Sequence, residues 1–346
     1  MKRILTITLV LLITLRGFSQ NESINHYKIA VQEIKEMMDD KKPINLTKAV
    51  FLVENAYMNG VLDWDSFNSE LKKYLPIFQK MIDNNGFEGY KTAKNWAIHT
   101  YMTDTTNTKN GYQRFHYDYE NYISDTLGLV WNLLMNVDNI TGAHLGNCRS
   151  LPLLYKLWCN EFGAKSYLSN LPMHLYIRQQ DEQGIWWNIE LTSFYKYMPT
   201  EDYVIQFKIK DEARNNGLYM KALSEKECLI ILLEDLIHFY EVRTSIYYDE
   251  FVKECTELGL RYWYNSTLLL RKFDYEKYHL DSKMKKLGLN NYNQISYYPK
   301  LVEKYKIIDN LAKYIEKIGY TEVSTESYSD MFKGIEEKAN KYPKQK

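Results

Sequence analysis

Between Gly146 and Ile209 the chain presents one helical run followed by four short strand candidates, with no helical pattern separating the strands. The helical run opens at Cys148-Arg149-Ser150, carries Leu154, Leu157 and Trp158 at helical spacing, and ends near Phe162-Gly163. The strand candidates are Lys165–Ser169, His174–Arg178, Trp186–Thr192 and Tyr203–Ile209, and Asp181–Gly184 marks a hairpin between the second and third. Parallel neighbours need a crossover of a dozen or more residues, which these spacings do not provide. The pattern therefore predicts an antiparallel sheet and an α+β fold, not a wound parallel one.

Helical patterns flank this segment on both sides. Tyr27, Val31, Ile34 and Met38 share one face; a second face begins after Asn45 and a third after Asp63, both N-cap types. From Ser224-Glu225-Lys226-Glu227, a capped start, an apolar run extends from Cys228 to Phe239, and further faces follow at Phe251–Leu258 and Leu268–Phe273. The tail from Tyr328 to Lys346 reads as a charged amphipathic helix. The organisation expected is a leader at 1–19, a helical region at 20–124, a core at 125–210 and a helical region at 211–346.

The leader is read from Met1-Lys2-Arg3, a basic start, and the uncharged stretch Ile4–Leu15. As a helix that stretch would span about 18 Å, too short for a hydrocarbon core of about 30 Å. Gly17 and Ser19 supply small residues for cleavage before Gln20, so an exported periplasmic or secreted protein is expected, with an uncleaved anchor as the alternative. No later segment reaches membrane-spanning length. Lys+Arg and Asp+Glu balance at 44 each, which argues against a nucleic-acid partner. Thirty-one tyrosines offer a large amphipathic contact surface without naming a chemistry. No nucleotide loop, dinucleotide fingerprint or second group of metal ligands is legible, so no cofactor and no metal are inferred.

Chemistry concentrates at Gly146-Asn147-Cys148-Arg149-Ser150. A cysteine at a helix start lies near about half a positive charge and unpaired N–H groups, both of which favour the nucleophilic thiolate. Those N–H groups could also donate to an oxyanion during acyl transfer. A working thiolate needs an imidazole held by a third polar group. His174 opens one strand, and Asn188 and Glu190 lie on the next, two apart and so on one face; either could hold the imidazole. Asn147, Asn188 and Trp186 are supporting candidates.

Cys148 at a helix start, His174 on one strand, and Trp186-x-x-x-Glu190-Leu191-Thr192 on the next resemble the transglutaminase-like core of the papain-like cysteine superfamily. That family orders Cys, His and Asp, the last in a Trp-x-x-x-Asp-Pro-Thr context; here Glu replaces Asp and Leu replaces Pro. The resemblance covers about residues 125–210. It implies Cys148 as nucleophile, His174 as general base and acid, and Glu190 as the group orienting the imidazole. It is similar to a bacterial branch whose core is followed by tetratricopeptide-like helices, a pattern that Ser224–Leu280 fits.

Other chemistry-bearing residues receive plainer readings. Cys159, Cys228 and Cys255 are expected in the core, with a Cys228–Cys255 disulfide as the alternative in an exported chain. His116-Tyr117-Asp118-Tyr119-Glu120 reads as an exposed strand or helix surface, His144 as lining the cleft or exposed, and Trp186 and Trp187 as packing the sheet. Two functions follow from the pattern. One is a cysteine enzyme of the hydrolase, protease or transglutaminase type acting on a peptide or protein substrate. The other is an inactive transglutaminase-like scaffold that binds a peptide or envelope protein through its Tyr-rich helical flanks, with the helical C-terminal region as a surface for a protein partner.

Overall fold

The computed structural model describes residues 24–109, 111–117, 127–193 and 197–322. The leader, Asp118, Glu120 and the Tyr328–Lys346 tail lie outside the described residues. The chain is α+β. Its described residues form two compact units that interleave in sequence: 24–64 join 225–312, and those within 65–224 join 313–322.

The first unit is helical. It comprises α1 (24–38), α2 (Leu46–Tyr57), and, from the far end of the sequence, a long helix, Glu225–Thr244, followed by Glu250–Leu260 and Ser266–Lys286. Asn45, Asp249 and Asn265 each cap a helix, their side chains accepting from Lys48 N, Val252 N and Leu268 N. A cap of this kind contributes about 1 kcal/mol. The 225–244 helix carries a dense apolar run from Cys228 to Leu233, and Leu229, Leu232, Leu233 and Leu236 are fully buried, while His238, Val242 and Arg243 stay exposed. The Tyr27 hydroxyl donates to Phe239 O at 3.1 Å, joining α1 to it. A smaller core, built on Leu280, Met284, Ile295, Leu301 and Ile308, closes the distal end. Among the described residues no helix is long and apolar enough to cross a membrane.

The second unit carries the sheets. In chain order it contains α3 (Trp64–Lys72), α4 (Leu75–Asn85), α5 (Ala93–Thr103), β1 (Phe115–Tyr117), α6 (Val130–Met135), β2 (His144–Gly146) and α7 (Ser150–Phe162). There follow β3 (Tyr167–Leu171), β4 (His174–Gln180), β5 (Trp186–Ile189), β6 (Tyr197–Met198), α8 (Thr200–Gln206) and α9 (Asp211–Asn215). β3-β4-β5-β6 form an antiparallel meander, with Leu171 opposite His174 and Ile177 opposite Ile189. Trp158 of α7 fixes that helix: its ring meets Phe78 and Phe115 edge-on at 5.3 Å, and its indole N–H donates to Leu71 O at 2.9 Å.

Three expectations are corrected. Tyr203–Ile209 is not a strand; Thr200–Gln206 is helical, with Glu201 and Asp202 in the first turn, where acids favour a helix. The spacing of Tyr203 and Phe207 is i, i+4, so both rings reach the same face of the sheet. Two short parallel strands, β1 and β2, form a pair that the sequence reading did not contain. His116 consequently sits buried on β1 and not on an exposed surface.

Candidate active site

Three elements bring the sequence-predicted residues together. Gly146 ends β2, and a Cβ there would come within 2.8 Å of Ser150 Oγ and 3.0 Å of Leu133 and Leu151. Only glycine lets β2 turn this closely onto the first turn of α7. Asn147 follows, and its Oδ1 accepts from the backbone N–H groups of Arg149 at 2.9 Å and Ser150 at 3.0 Å. Its own N–H donates to Ser150 Oγ at 3.0 Å. Asn147 is therefore a helix cap seated on Gly128, where φ is +61° and a side chain would strike the amide at 2.2 Å. Cys148 lies in the turn just before α7, not at the helix's first residue as the sequence predicted. The N–H groups of Arg149 and Ser150 are engaged by Asn147 and so are not open to an oxyanion, a role the sequence allowed for the helix start.

The imidazole arrives on the β3–β4 turn. Leu171 pairs with His174, leaving Pro172 and Met173 as a two-residue connection. Pro172 presets the first turn position, and Met173 takes φ +58°, as a type II turn requires at its second. The strained residue is the one whose carbonyl lies 3.9 Å from Cys148 Sγ. The Cys148 thiol lies near enough to the His174 ring to act on it electrostatically.

Glu190 settles the choice that spacing left open. Continued one residue past the end of β5, the register sets it opposite Tyr176 and diagonal to His174, within reach of a long side chain. His174 Nε2 donates to Glu190 Oε2 at 2.8 Å, and both side chains are buried. The Tyr203 hydroxyl donates to the same oxygen at 2.8 Å. On Oε1, Thr192 donates from its N–H at 2.9 Å and from its hydroxyl at 2.7 Å. Four donors thus converge on one carboxylate. Asn188 instead donates to Met198 O and Thr200 Oγ1, both at 3.1 Å, and holds β6 and α8 in place.

The electrostatics follow from this cluster. Burial alone would disfavour the charged imidazole, but the Glu190 carboxylate and the Cys148 thiol outweigh it and push His174 up to about 10. Burial would likewise raise Glu190; the adjacent imidazolium, followed by the bonds from His174 and Thr192, holds it below the usual carboxylate range. The pair is therefore charged across neutral pH. Phe207 covers the imidazole as a stacked ring at 5.6 Å.

The remaining sequence candidates are dispersed. Trp186 pairs with Gln180 at the hairpin tip, six residues or about 20 Å along β4 from His174. It stays 41% exposed, against Tyr167 and Arg178, and so does not support the imidazole. Trp187 is 43% exposed as well, its indole N–H on Asp181. His144 neither lines the thiol nor lies open: it stacks on Phe115 at 4.5 Å and bonds Leu133 O through Nδ1. All four cysteines are free; Cys159, Cys228 and Cys255 are buried, and Cys148 is partly exposed. Burial pushes the Cys159 thiol up to about 12 and raises that of Cys255.

Tyr203, Phe207 and Thr192 are the functional neighbours that site reasoning from sequence left out. Thr192 stood two residues after Glu190 in the quoted motif; Tyr203 and Phe207 were hidden by the strand assignment. The arrangement can hold a thiolate beside a fixed imidazolium, the requirement for nucleophilic attack on a carbonyl. No protein-family model, curated protein or solved structure matches the chain.

Proposed function

We propose that this chain is an exported cysteine enzyme that transfers or hydrolyses an acyl group through Cys148, His174 and Glu190. In this reading the Cys148 thiolate attacks a carboxamide or peptide carbonyl. His174 gives its proton to the leaving amine, leaving a thioester. Water or a substrate amine, deprotonated by the now neutral imidazole, then releases the acyl group and regenerates the thiol. Glu190 remains ionised throughout and fixes the ring. The observation that carries the reading is a partly exposed thiol 3.9 Å from the carbonyl of Met173, the residue before His174, whose imidazole is bound through Nε2 to a buried carboxylate. The order Cys, His, acid and the antiparallel meander behind it agree with a transglutaminase-like core over about 125–210, followed by tetratricopeptide-like helices. The basic, then apolar start of the chain supports export through a cleaved leader.

The test is to incubate the folded protein with an electrophilic peptide or glutamine analogue and to locate the adduct by mass. The reading requires labelling at Cys148, abolished by His174→Ala with the fold retained. Labelling that is indifferent to His174 would remove it. A scaffold that binds a protein partner is the second reading, favoured by exposed tyrosines such as Tyr247, Tyr248 and Tyr278, the last two stacked at 4.4 Å.

A further inference from the structure

Glutamate is one methylene longer than the aspartate of the motif it resembles, and a longer arm has an additional rotatable bond to immobilise. Each of its oxygens is held separately. Thr192, two residues along the chain, holds Oε1 through both its N–H and its hydroxyl. Oε2, the oxygen that meets the imidazole, is held from a different element: the Tyr203 hydroxyl on α8, at 2.8 Å. Tyr203 is itself buried and its ring is fixed between Tyr176 at 4.7 Å and Phe207 at 6.0 Å. Its hydroxyl therefore has little freedom to leave the carboxylate.

We propose that Tyr203 is a positioning residue of this site: by donating to the oxygen that bonds His174 Nε2, it aims the long glutamate arm and keeps the shared proton on the imidazole. This rests on the reading of Cys148, His174 and Glu190 as an acyl-transfer site. A carboxylate oxygen that already accepts an O–H is a weaker base toward a second donor. The proton between Oε2 and Nε2 thus stays on nitrogen, which keeps the ring positively charged toward Cys148. The effect acts through Glu190 and His174, since the hydroxyl of Tyr203 is spent on Glu190 Oε2.

The experiment compares the pH profile of Cys148 alkylation by iodoacetamide in the wild type, Tyr203→Phe, Tyr176→Phe and His174→Ala. Loss of one hydrogen bond to a charged group corresponds to a change on the order of tenfold or more. The proposal expects Tyr203→Phe to slow alkylation near pH 6 by about that factor and to shift the rising limb toward alkaline pH. Tyr176→Phe, which removes a neighbouring buried hydroxyl that does not bond Glu190, should leave the profile in place. If His174→Ala reacts as fast as wild type, the site reading falls and this inference with it. If His174→Ala is slow while Tyr203→Phe matches wild type, only this inference falls. Should Tyr203→Phe not fold, proton NMR of the wild type decides. A slowly exchanging Tyr203 hydroxyl proton close to the His174 ring supports the role, and its absence overturns it.

Discussion

Replacing Glu190 by Gln keeps the volume and removes half of the acceptors. In the wild type one carboxylate accepts from four donors: His174 Nε2, the Tyr203 hydroxyl, and the N–H and hydroxyl of Thr192. An amide offers one oxygen and one NH2. If the oxygen turns to His174, the NH2 faces the Thr192 N–H; if it turns to Thr192, the NH2 faces Nε2. The two hydroxyls can rotate to accept, but the backbone N–H cannot. The better compromise leaves the oxygen on Thr192 and obliges His174 to give up its Nε2 proton. Removing one partner of a buried ion pair costs about 3–5 kcal/mol, and a neutral imidazole that escapes the uncompensated charge should bring the loss toward the lower end. This loss depends on pH in a defined direction. His174 is raised from 6.5 to about 10 in the folded protein, so its contribution is fully present below pH 6.5 and disappears as pH rises through about 10. Glu190 is lowered from 4.5, so its contribution is present above pH 4.5 and is lost as pH falls through its folded value. The stability gap between wild type and Glu190→Gln should therefore be widest between pH 4.5 and 6.5 and close steadily toward pH 10. Urea unfolding of both proteins at pH 5.5, 7.5 and 9.5, followed by circular dichroism, measures it. A gap of equal size at all three values would refute a charged imidazole–carboxylate pair. The same variant should slow Cys148 alkylation by about 10²-fold, the lower end of what acid–base groups contribute.

Two further substitutions probe how the thiol is placed. Gly146→Ala puts a Cβ 2.8 Å from Ser150 Oγ and 3.0 Å from Leu133 and Leu151, and overpacking of this kind costs about 1–3 kcal/mol. It should lower the melting temperature and also slow Cys148 alkylation, since β2 must move away from α7; a normal alkylation rate in the destabilised variant would separate the two effects. Asn147→Ala removes the acceptor for two backbone N–H groups. About 1 kcal/mol of stability should be lost, as for other helix caps, measurable by thermal unfolding. In native buffer one thiol per chain should react with a chromogenic disulfide reagent, rising to four after unfolding, because three cysteines are buried; two or more fast native thiols would contradict that burial.

The sequence alone determined the α+β class, because consecutive strand patterns without intervening helices leave no room for crossovers. It also determined the helix starts after Asn45 and Asp63, because helix initiation is a local contest among a few neighbouring atoms. Cys148 and His174 were legible for similar reasons: one sits after a glycine that permits a tight turn, the other at the edge of an apolar, alternating stretch. The choice between Asn188 and Glu190 was beyond sequence, since both share one face and only the register and the approach of α8 decide which meets the imidazole. The α8 helix was itself hidden, because Tyr203 and Phe207 satisfy a strand's composition as well as an i, i+4 pair until a sheet face is present to receive them. The capping role of Asn147 depended on the space above Gly128, and the distance of Trp186 from the site on strand length and register. The pairing of residues before 64 with those after 225 in one helical unit was likewise decided only in three dimensions. A sequence states which surfaces are apolar and which termini can be capped; which apolar surface meets which is a long-range competition that packing resolves.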